Sequence, residues 1–386
     1  MKIVDIIPYV IAQDLEKPFY FSQWDYKARK ICLVKIILED GTYGWGEGYG
    51  PADMIETGIN FLKPFVIGEN VLENEKIWQN MYLRTLDFGR SGIFNAAISA
   101  IDVGIWDCKG KVLNQPVSVL LGGVKNEIIH PYATGFYFTD SPTLDEDLRK
   151  EAQFYKKEGF KAAKMKVGLG LEKDLHYVHL LKEELGDDVR LMIDSNHAYN
   201  YREALELCQK LEHLNIGWFE EPVHPEDYNG YAKLRENTSI PIAGGECEYL
   251  KHGFKRLFDA DAVDIAQPDL CATGGLTEMK RIATLASSYH KDIVPHSWGT
   301  WIAISAAVHF VSNLDQNPGR MFRNAPMIEL DRTENPLRDD VVSHAIKVEN
   351  GEIKVPQLPG LGIDVNQNYL EKYAINNRRE TAAVWS

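Results

Sequence analysis

The chain is predicted to be an α/β protein, a modified TIM barrel of the (β/α)7β kind covered by an α+β capping domain. Three observations point there. Short apolar runs alternate with amphipathic stretches through the middle of the chain, strand-like sequence precedes them, and turn-rich sequence follows. In addition, three acidic residues, Asp194, Glu220 and Glu246, each close an apolar run and lie 26 and 26 positions apart. That interval is about one strand, one helix and two loops. Each carboxylate is therefore expected at the C-terminal end of a successive parallel strand, where barrel active sites are built.

Residues 1–125 open with strand-like runs, Ile3 to Tyr9 and Ile31 to Leu38, and the Asp40-Gly41 turn signals a hairpin. Helical patterns follow, as in Asn95 to Lys111, where Ala96, Ala97, Ala100, Ile101, Gly104 and Ile105 keep a 3.6-residue period. The barrel is expected over 126–336. Its strands are predicted at 129–135, 161–167, 189–194, 215–220, 240–245, 262–267, 292–296 and 321–329. Helices are expected between them, including 172–186, 201–214, 249–259 and 275–290. The tail, 337–386, carries Pro356, Pro359, Gly360 and Gly362 and is expected to return to the capping domain.

Composition narrows the function. A 386-residue chain with 45% hydrophobic residues can bury a large core. The net charge of −14 argues against nucleic acid or an anionic membrane as partner. Cys32, Cys108, Cys208, Cys247 and Cys271 are scattered, with no Cys-x-x-Cys, as expected in a reducing compartment. No apolar run reaches the ~18 residues of a membrane span, and the start lacks a signal-peptide core. A cytoplasmic location is expected.

Converging carboxylates repel one another unless a cation lies between them. All-oxygen ligation suits Mg2+, or Mn2+ in its place, better than zinc. The second barrel strand carries Lys164-Met165-Lys166, and residues i and i+2 share a face, so both ammonium groups enter the mouth. On a surface strand such a pair would merely be solvated. Here Phe160, Ala162, Ala163 and Val167 mark a buried strand, where an unpaired lysine is costly. A lysine beside another cation, and partly desolvated, is expected to shed its proton and act as a base.

Asp269 and His296 follow consecutive strands on the other flank. A lone histidine there is more often a core residue, but a carboxylate from the neighbouring unit would orient it as a second acid or base. Asn196, two residues past Asp194, is positioned to bond a ligand or the metal shell. Glu329 either stays protonated and donates to a substrate oxygen, or simply pairs with a lysine. Together these groups suit removal of the proton alpha to a carboxylate. Loss of that proton gives a doubly charged enediolate, which a divalent ion, Lys164 and Glu329 would stabilise.

The ordered set of motifs resembles the enolase superfamily, in its mandelate racemase branch, over nearly the whole length. The motifs are Gly44-Trp45-Gly46-Glu47, Ala100-Ile101-Asp102 with Trp106-Asp107, Leu121-Gly122-Gly123, Lys164-x-Lys166, Asp194-x-Asn196, Glu220-Glu221-Pro222, Gly244-Gly245-Glu246, the Asp269/His296 pair and Glu329. The resemblance implies Asp194, Glu220 and Glu246 as Mg2+ ligands, Lys166 and His296 as opposed bases, Lys164 as electrostatic helper and Asp269 as orienter of His296. It also implies a homo-oligomer, often a tetramer or octamer. Stretches such as Leu191 to Tyr199, Gln267 to Gly275 and Asp331 to Pro336 are similar to the galactarolactone and 3,6-anhydro-galactonate cycloisomerases. In that family the cap loops set specificity; here they are Phe19 to Tyr26 and Gly46 to Pro51, with Tyr20, Phe21, Trp24 and Tyr49. Tyr20, Trp24, Asn196, His197 and Trp298 are the candidate substrate contacts.

Other positions are read as structure. Trp106 is expected to pack, and His176 and His179 to lie on a helix surface. Arg90 is either a clamp for a distal carboxylate or an exposed loop residue. The expected activity is Mg2+-dependent ring opening of an acid sugar or its lactone. Dehydration of an open-chain aldonate or aldarate, racemisation, and a catalytically silent sugar-acid sensor remain alternatives. Lys166 and His296 count against the sensor, which has no use for opposed bases.

Overall fold

The computed structural model describes residues 1–315, 325–343 and 346–375. The capping domain begins with a three-stranded antiparallel sheet, β1 (Ile3–Tyr20), β2 (Asp25–Leu38) and β3 (Tyr43–Gly48). β1 runs well past the expected Tyr9. Polar residues at Gln13, Asp14, Glu16 and Lys17 interrupt the apolar alternation, yet β1 keeps pairing with β2, with a register shift after Asp14. The β1–β2 hairpin is therefore long enough to carry residues 21–24 away from the cap. At the β2–β3 turn Gly41 has φ +86° and the Asp40 carboxylate accepts from Thr42 N at 2.9 Å.

Helix Ile93–Leu113 lies against β3 and is buried nearly all round, as an evenly apolar helix must be. The approach needs glycine. A Cβ at Gly46 would stand 1.9 Å from the Ala100 carbonyl oxygen. The helix ends at Asn114 in the left-handed region, φ 51°.

The barrel strands are β4 (Ile128–Gly135), β5 (Ala162–Lys166), β6 (Arg190–Asp194), β7 (Phe219–Glu220), β8 (Ile242–Gly244), β9 (Ile265–Ala266), β10 (Asp292–Ile293) and β11 (Met327–Asp331). They pair in parallel from β4 through β10, and β11 pairs back onto β4. A helix lies between each successive pair, from Leu144–Lys157 to Trp301–Ser312. The expected (β/α)7β order is present. The first part of the strand expected at 321–329, residues 321–324, falls outside the described residues, as do 376–386 of the tail.

Polar latches join cap to barrel at several points, among them Glu47, Asp102 and Arg29. Glu47 on β3 accepts from Thr300 N at 2.9 Å, at the start of helix Trp301–Ser312. Asp102 accepts from Thr277 Oγ1 at 2.6 Å and Thr277 N at 2.9 Å. The buried guanidinium of Arg29 on β2 meets Asp331 Oδ2 at 2.7 Å, at the end of β11. The tail divides its contacts. β12 (Val348–Glu349) and β13 (Glu352–Lys354) form a hairpin that pairs with Ile128 and Ile129 of β4. Helix Pro336–Asp340, before the hairpin, already packs on β1, and beyond the hairpin Leu361 N donates to Asp107 at 2.8 Å and Ile375 N to Val10 O at 2.8 Å.

His309, in helix Trp301–Ser312, pins cap, barrel and tail together. Its Nδ1 accepts from Ser118 N and its Nε2 donates to Leu361 O, each at 3.2 Å. Burial pushes its pKa from 6.5 down to about 4. The unfolded chain therefore binds a proton first as pH falls, so stability present above pH 6.5 is lost towards pH 4. At ~1.4 kcal/mol per unit the loss is about 3 kcal/mol. Urea unfolding of wild type and His309→Gln is expected to show this difference in pH dependence; identical pH dependence would contradict it.

Candidate active site

Every expected barrel-mouth residue sits at or near a strand end. Lys164 and Lys166 project from β5 and are both buried. Register places Lys166 beside Asp194 and Asp194 beside Glu220. Glu246 follows β8 after Gly245, whose φ of +126° turns the chain. Glu329 lies within β11.

The buried acids each take a cation of the protein. Lys166 Nζ is 2.5 Å from Asp194 Oδ2, and Lys164 Nζ is 2.5 Å from Glu220 Oε1 and 2.9 Å from Glu329 Oε1. Glu220 Oε2 also accepts from Trp218 Nε1 at 3.0 Å and Gln267 Nε2 at 2.6 Å. Asp269 Oδ2 lies 2.6 Å from His296 Nδ1, so the expected orienting pair is in place. The other ring nitrogen is 3.4 Å from Glu246 and 3.8 Å from Glu329.

Two electrostatic expectations are corrected. Burial alone would lower both lysine pKa values, but the adjoining carboxylates, Glu220 for Lys164 and Asp194 for Lys166, raise them. Among the protein's own groups both lysines are charged, because their nearest neighbours are anions. Glu329 is not a protonated donor either. Against burial, Lys164 and then His296 hold its pKa down to about 2, so it is the lysine partner.

Glu246 differs from its fellows because it has no lysine of its own. Burial, then the charges of Glu221 and Asp194, push its pKa to about 8 although His296 opposes them. His296 in turn is lifted to about 10 against burial, first by Glu246, then by Glu329 and Asp269. Two buried carboxylates and the partly exposed Glu246, which lacks a close lysine, stand at the ends of adjacent strands and are a donor set that fits a hard divalent ion. Donor atoms already within 4.8 Å of one another belong instead to a neighbouring trio, His197, Glu221 and Cys247. That trio is a poor metal cage, since burial and the nearby Glu221 and Glu246 drive the Cys247 pKa up and keep the thiol protonated.

Above the carboxylates lies a cavity of about 200 Å³. Lys166 and His296 both line it, as do Asn196, His197, Trp24 and Trp298. Asn196 Oδ1 accepts from Lys166 Nζ at 2.8 Å. The hairpin tip closes over the mouth, with Ser22 Oγ donating to Ser195 O at 2.7 Å and Gln23 Nε2 to Asn196 O at 2.5 Å. Tyr20 is the exception among the expected contacts. It is not among the lining residues; its ring faces Phe138 and its hydroxyl reaches Thr139 O at 3.5 Å. Strand alternation puts it on the opposite face from Phe21, which does line the cavity. Gln23 and Tyr26 line the cavity from within the expected cap loop, Phe19 to Tyr26, and Tyr137 is a wall residue that the sequence reading missed. Tyr137, two places beyond β4, had the same strand-end signal as the acids. Trp106, His176 and His179 behave as structure, the first buried, the others exposed, and Arg90 is exposed and does not line the cavity.

The sequence matches the mandelate racemase / muconate lactonizing enzyme N-terminal domain over residues 6–122 and the enolase C-terminal domain-like family over 147–369. The chain belongs to the enolase superfamily. This superfamily member is 39% identical to D-galactarolactone cycloisomerase of Agrobacterium fabrum, over 97% of this chain and 99% of that protein. It is similar to the solved 3,6-anhydro-D-galactonate cycloisomerase of Zobellia galactanivorans, at 61% identity and TM-score 0.89, covering 97% of this chain and 99% of that one. It also resembles a racemase structure from Streptomyces coelicolor with bound magnesium, at 26% identity and TM-score 0.86, covering 96% and 99%. The protein is an enzyme of a superfamily whose members bind Mg2+.

Because Glu246 holds its proton up to about pH 8, filling the site with Mg2+ has to displace that proton. Calorimetric titration with Mg2+ alone is expected to strengthen from pH 6 to 8, approaching tenfold per unit, with proton release. Glu246→Gln is expected to weaken binding and remove the pH dependence. Wild-type affinity that is flat with pH would contradict this.

Proposed function

We propose that the enzyme is an acid-sugar cycloisomerase that takes the proton alpha to a carboxylate and opens a ring by β-elimination. The observation that carries the reading is the pairing of Lys166 with the Asp269–His296 couple across one cavity, beside Asp194, Glu220 and Glu246. Asp194, Glu220 and Glu246 would hold a magnesium ion, which would supply positive charge for the substrate carboxylate and its enediolate and would offset the anion that keeps Lys166 protonated. Lys166 is then the base that breaks the Cα–H bond. His296 keeps Asp269 and Glu329, which are not metal ligands, and so retains a proton to give away. That proton goes to the departing ring oxygen as the bond from the β-carbon breaks. The resulting enol takes a proton at the β-carbon, giving a 2-keto-3-deoxy acid with no net change in composition.

The cavity wall supports a cyclic substrate with one carboxylate. Phe21, Trp24, Tyr26, Tyr49, Tyr137 and Trp298 offer flat apolar faces to a ring. Among the described residues no arginine lines the cavity, Arg90 included, so a second carboxylate finds no bidentate partner in its wall. The 61% identity to the Zobellia enzyme points the same way, to a 3,6-anhydro-galactonate ring ether. Five free cysteines suit a reducing compartment.

The test is NMR in D2O with Mg2+ and a panel of acid sugars and lactones. Wild type is expected to open the anhydro ring. Lys166→Ala is expected to lose both α-proton exchange and ring opening, at least ~10²-fold. His296→Asn is expected to keep exchange while ring opening falls by a similar factor. Water loss from linear aldonates without ring opening would replace this reading with a dehydratase, and exchange alone with a racemase.

A further inference from the structure

We infer that Glu221 is a positioning residue that orients His197 to meet a substrate hydroxyl, forming a second carboxylate–imidazole pair in the barrel mouth. The inference rests on the acid-sugar reading above. Glu221 follows the expected ligand Glu220, and the two side chains part company. Glu220 is taken up by Lys164, Trp218 and Gln267, whereas Glu221 meets neither lysine at ion-pair distance. It is 1% exposed, and its Oε2 lies 3.0 Å from His197 Nδ1. The contact is an ion-pair distance without aligned hydrogen-bond geometry, and neither atom has another partner. A buried carboxylate oxygen with one nitrogen in reach is committed to it.

The backbone is built around this meeting. His197 N donates to Glu221 O at 2.7 Å, and Ser195 Oγ donates to the same oxygen at 2.8 Å. His197 and Glu221 both sit in the left-handed region, with φ of 56° and 44°. Non-glycine residues in that region are strained, and two facing each other across neighbouring strand ends mark a place where packing overrules preference. With Nδ1 turned to Glu221, Nε2 is the ring's remaining polar atom. His197 lines the cavity, so Nε2 is what the ligand meets.

The arrangement parallels Asp269–His296 on the opposite flank, where an acid also holds Nδ1. The difference lies in surroundings. His296 has Glu246 and Glu329 at 3.4 and 3.8 Å from its other ring nitrogen, whereas Glu221 is the one carboxylate at ion-pair distance from His197 among the described residues. It is therefore suited to recognising a neutral oxygen, a sugar hydroxyl beyond the carboxylate end, and Glu221 acts only through it.

The full-length Mg2+-loaded enzyme allows three measurements. Nitrogen-15 imidazole NMR is expected to find a proton on His197 Nδ1 in wild type, lost in favour of Nε2–H in Glu221→Gln. Steady-state ring opening of 3,6-anhydro-galactonate is expected to show KM raised about tenfold in Glu221→Gln and in His197→Asn, the worth of one hydrogen bond, with kcat within about threefold. The double variant is expected to be no worse than His197→Asn alone. Mg2+ binding is expected to be no weaker in Glu221→Gln than in wild type, because removing the Glu221 charge eases the proton off Glu246. The inference is overturned if wild-type His197 carries its only proton on Nε2, if the two substitutions add, or if Glu221→Gln weakens Mg2+ binding as much as it raises KM. If wild type opens no ring, the functional reading falls, while the NMR result still decides the part played by Glu221.

Discussion

A shortage of positive charge at the centre of the barrel governs this molecule. Asp194, Glu220, Glu221, Glu246, Asp269 and Glu329 are gathered at one end of the barrel, with Lys164 and Lys166 the only permanent cations paired with them among the described residues. Isolated buried charges are very unfavourable, so each acid is paired, shares a histidine or holds its proton. Lys164 serves three carboxylates at once, at 2.5, 2.9 and 3.6 Å. A divalent cation relieves the remainder, and the same relief changes what Lys166 can do. Metal binding and base strength are one problem in this site.

The cap solves a second problem, that of keeping water from the charged mouth. Its sheet and long helix pack so closely that Gly46 admits no side chain, and polar latches at Glu47, Asp102 and Arg29 hold the domain to strand and helix ends of the barrel. Arg29 also lies 3.8 Å from the Trp298 ring, a cation–π contact that ties the latch to the cavity wall. The hairpin tip then bonds directly to the loop carrying Ser195 and Asn196. Specificity and closure thus come from the same few residues.

Much of this was legible in the sequence, for local reasons. The strand-end acids stand at a fixed interval because the βα unit repeats, and Lys164 and Lys166 share a face because a strand alternates. What was hidden depended on long-range pairing. The extension of β1 to Tyr20 is invisible in a segment whose outer face is charged, so the face on which Tyr20 would fall could not be read. The β12–β13 hairpin joins β4 across more than two hundred residues, and no local pattern announces that. Charge states were misread for a related reason. A motif names the acids and bases, whereas their pKa values follow from which of them touch.

The central claim is that Asp194, Glu220 and Glu246 share one hard divalent ion beneath Lys166 and His296. Anomalous diffraction from crystals grown with Mn2+ in place of Mg2+ tests it directly. The expected result is a single strong peak in bonding contact with all three carboxylates. A peak at His197, Glu221 and Cys247 instead, or none within reach of the three acids, would contradict the account.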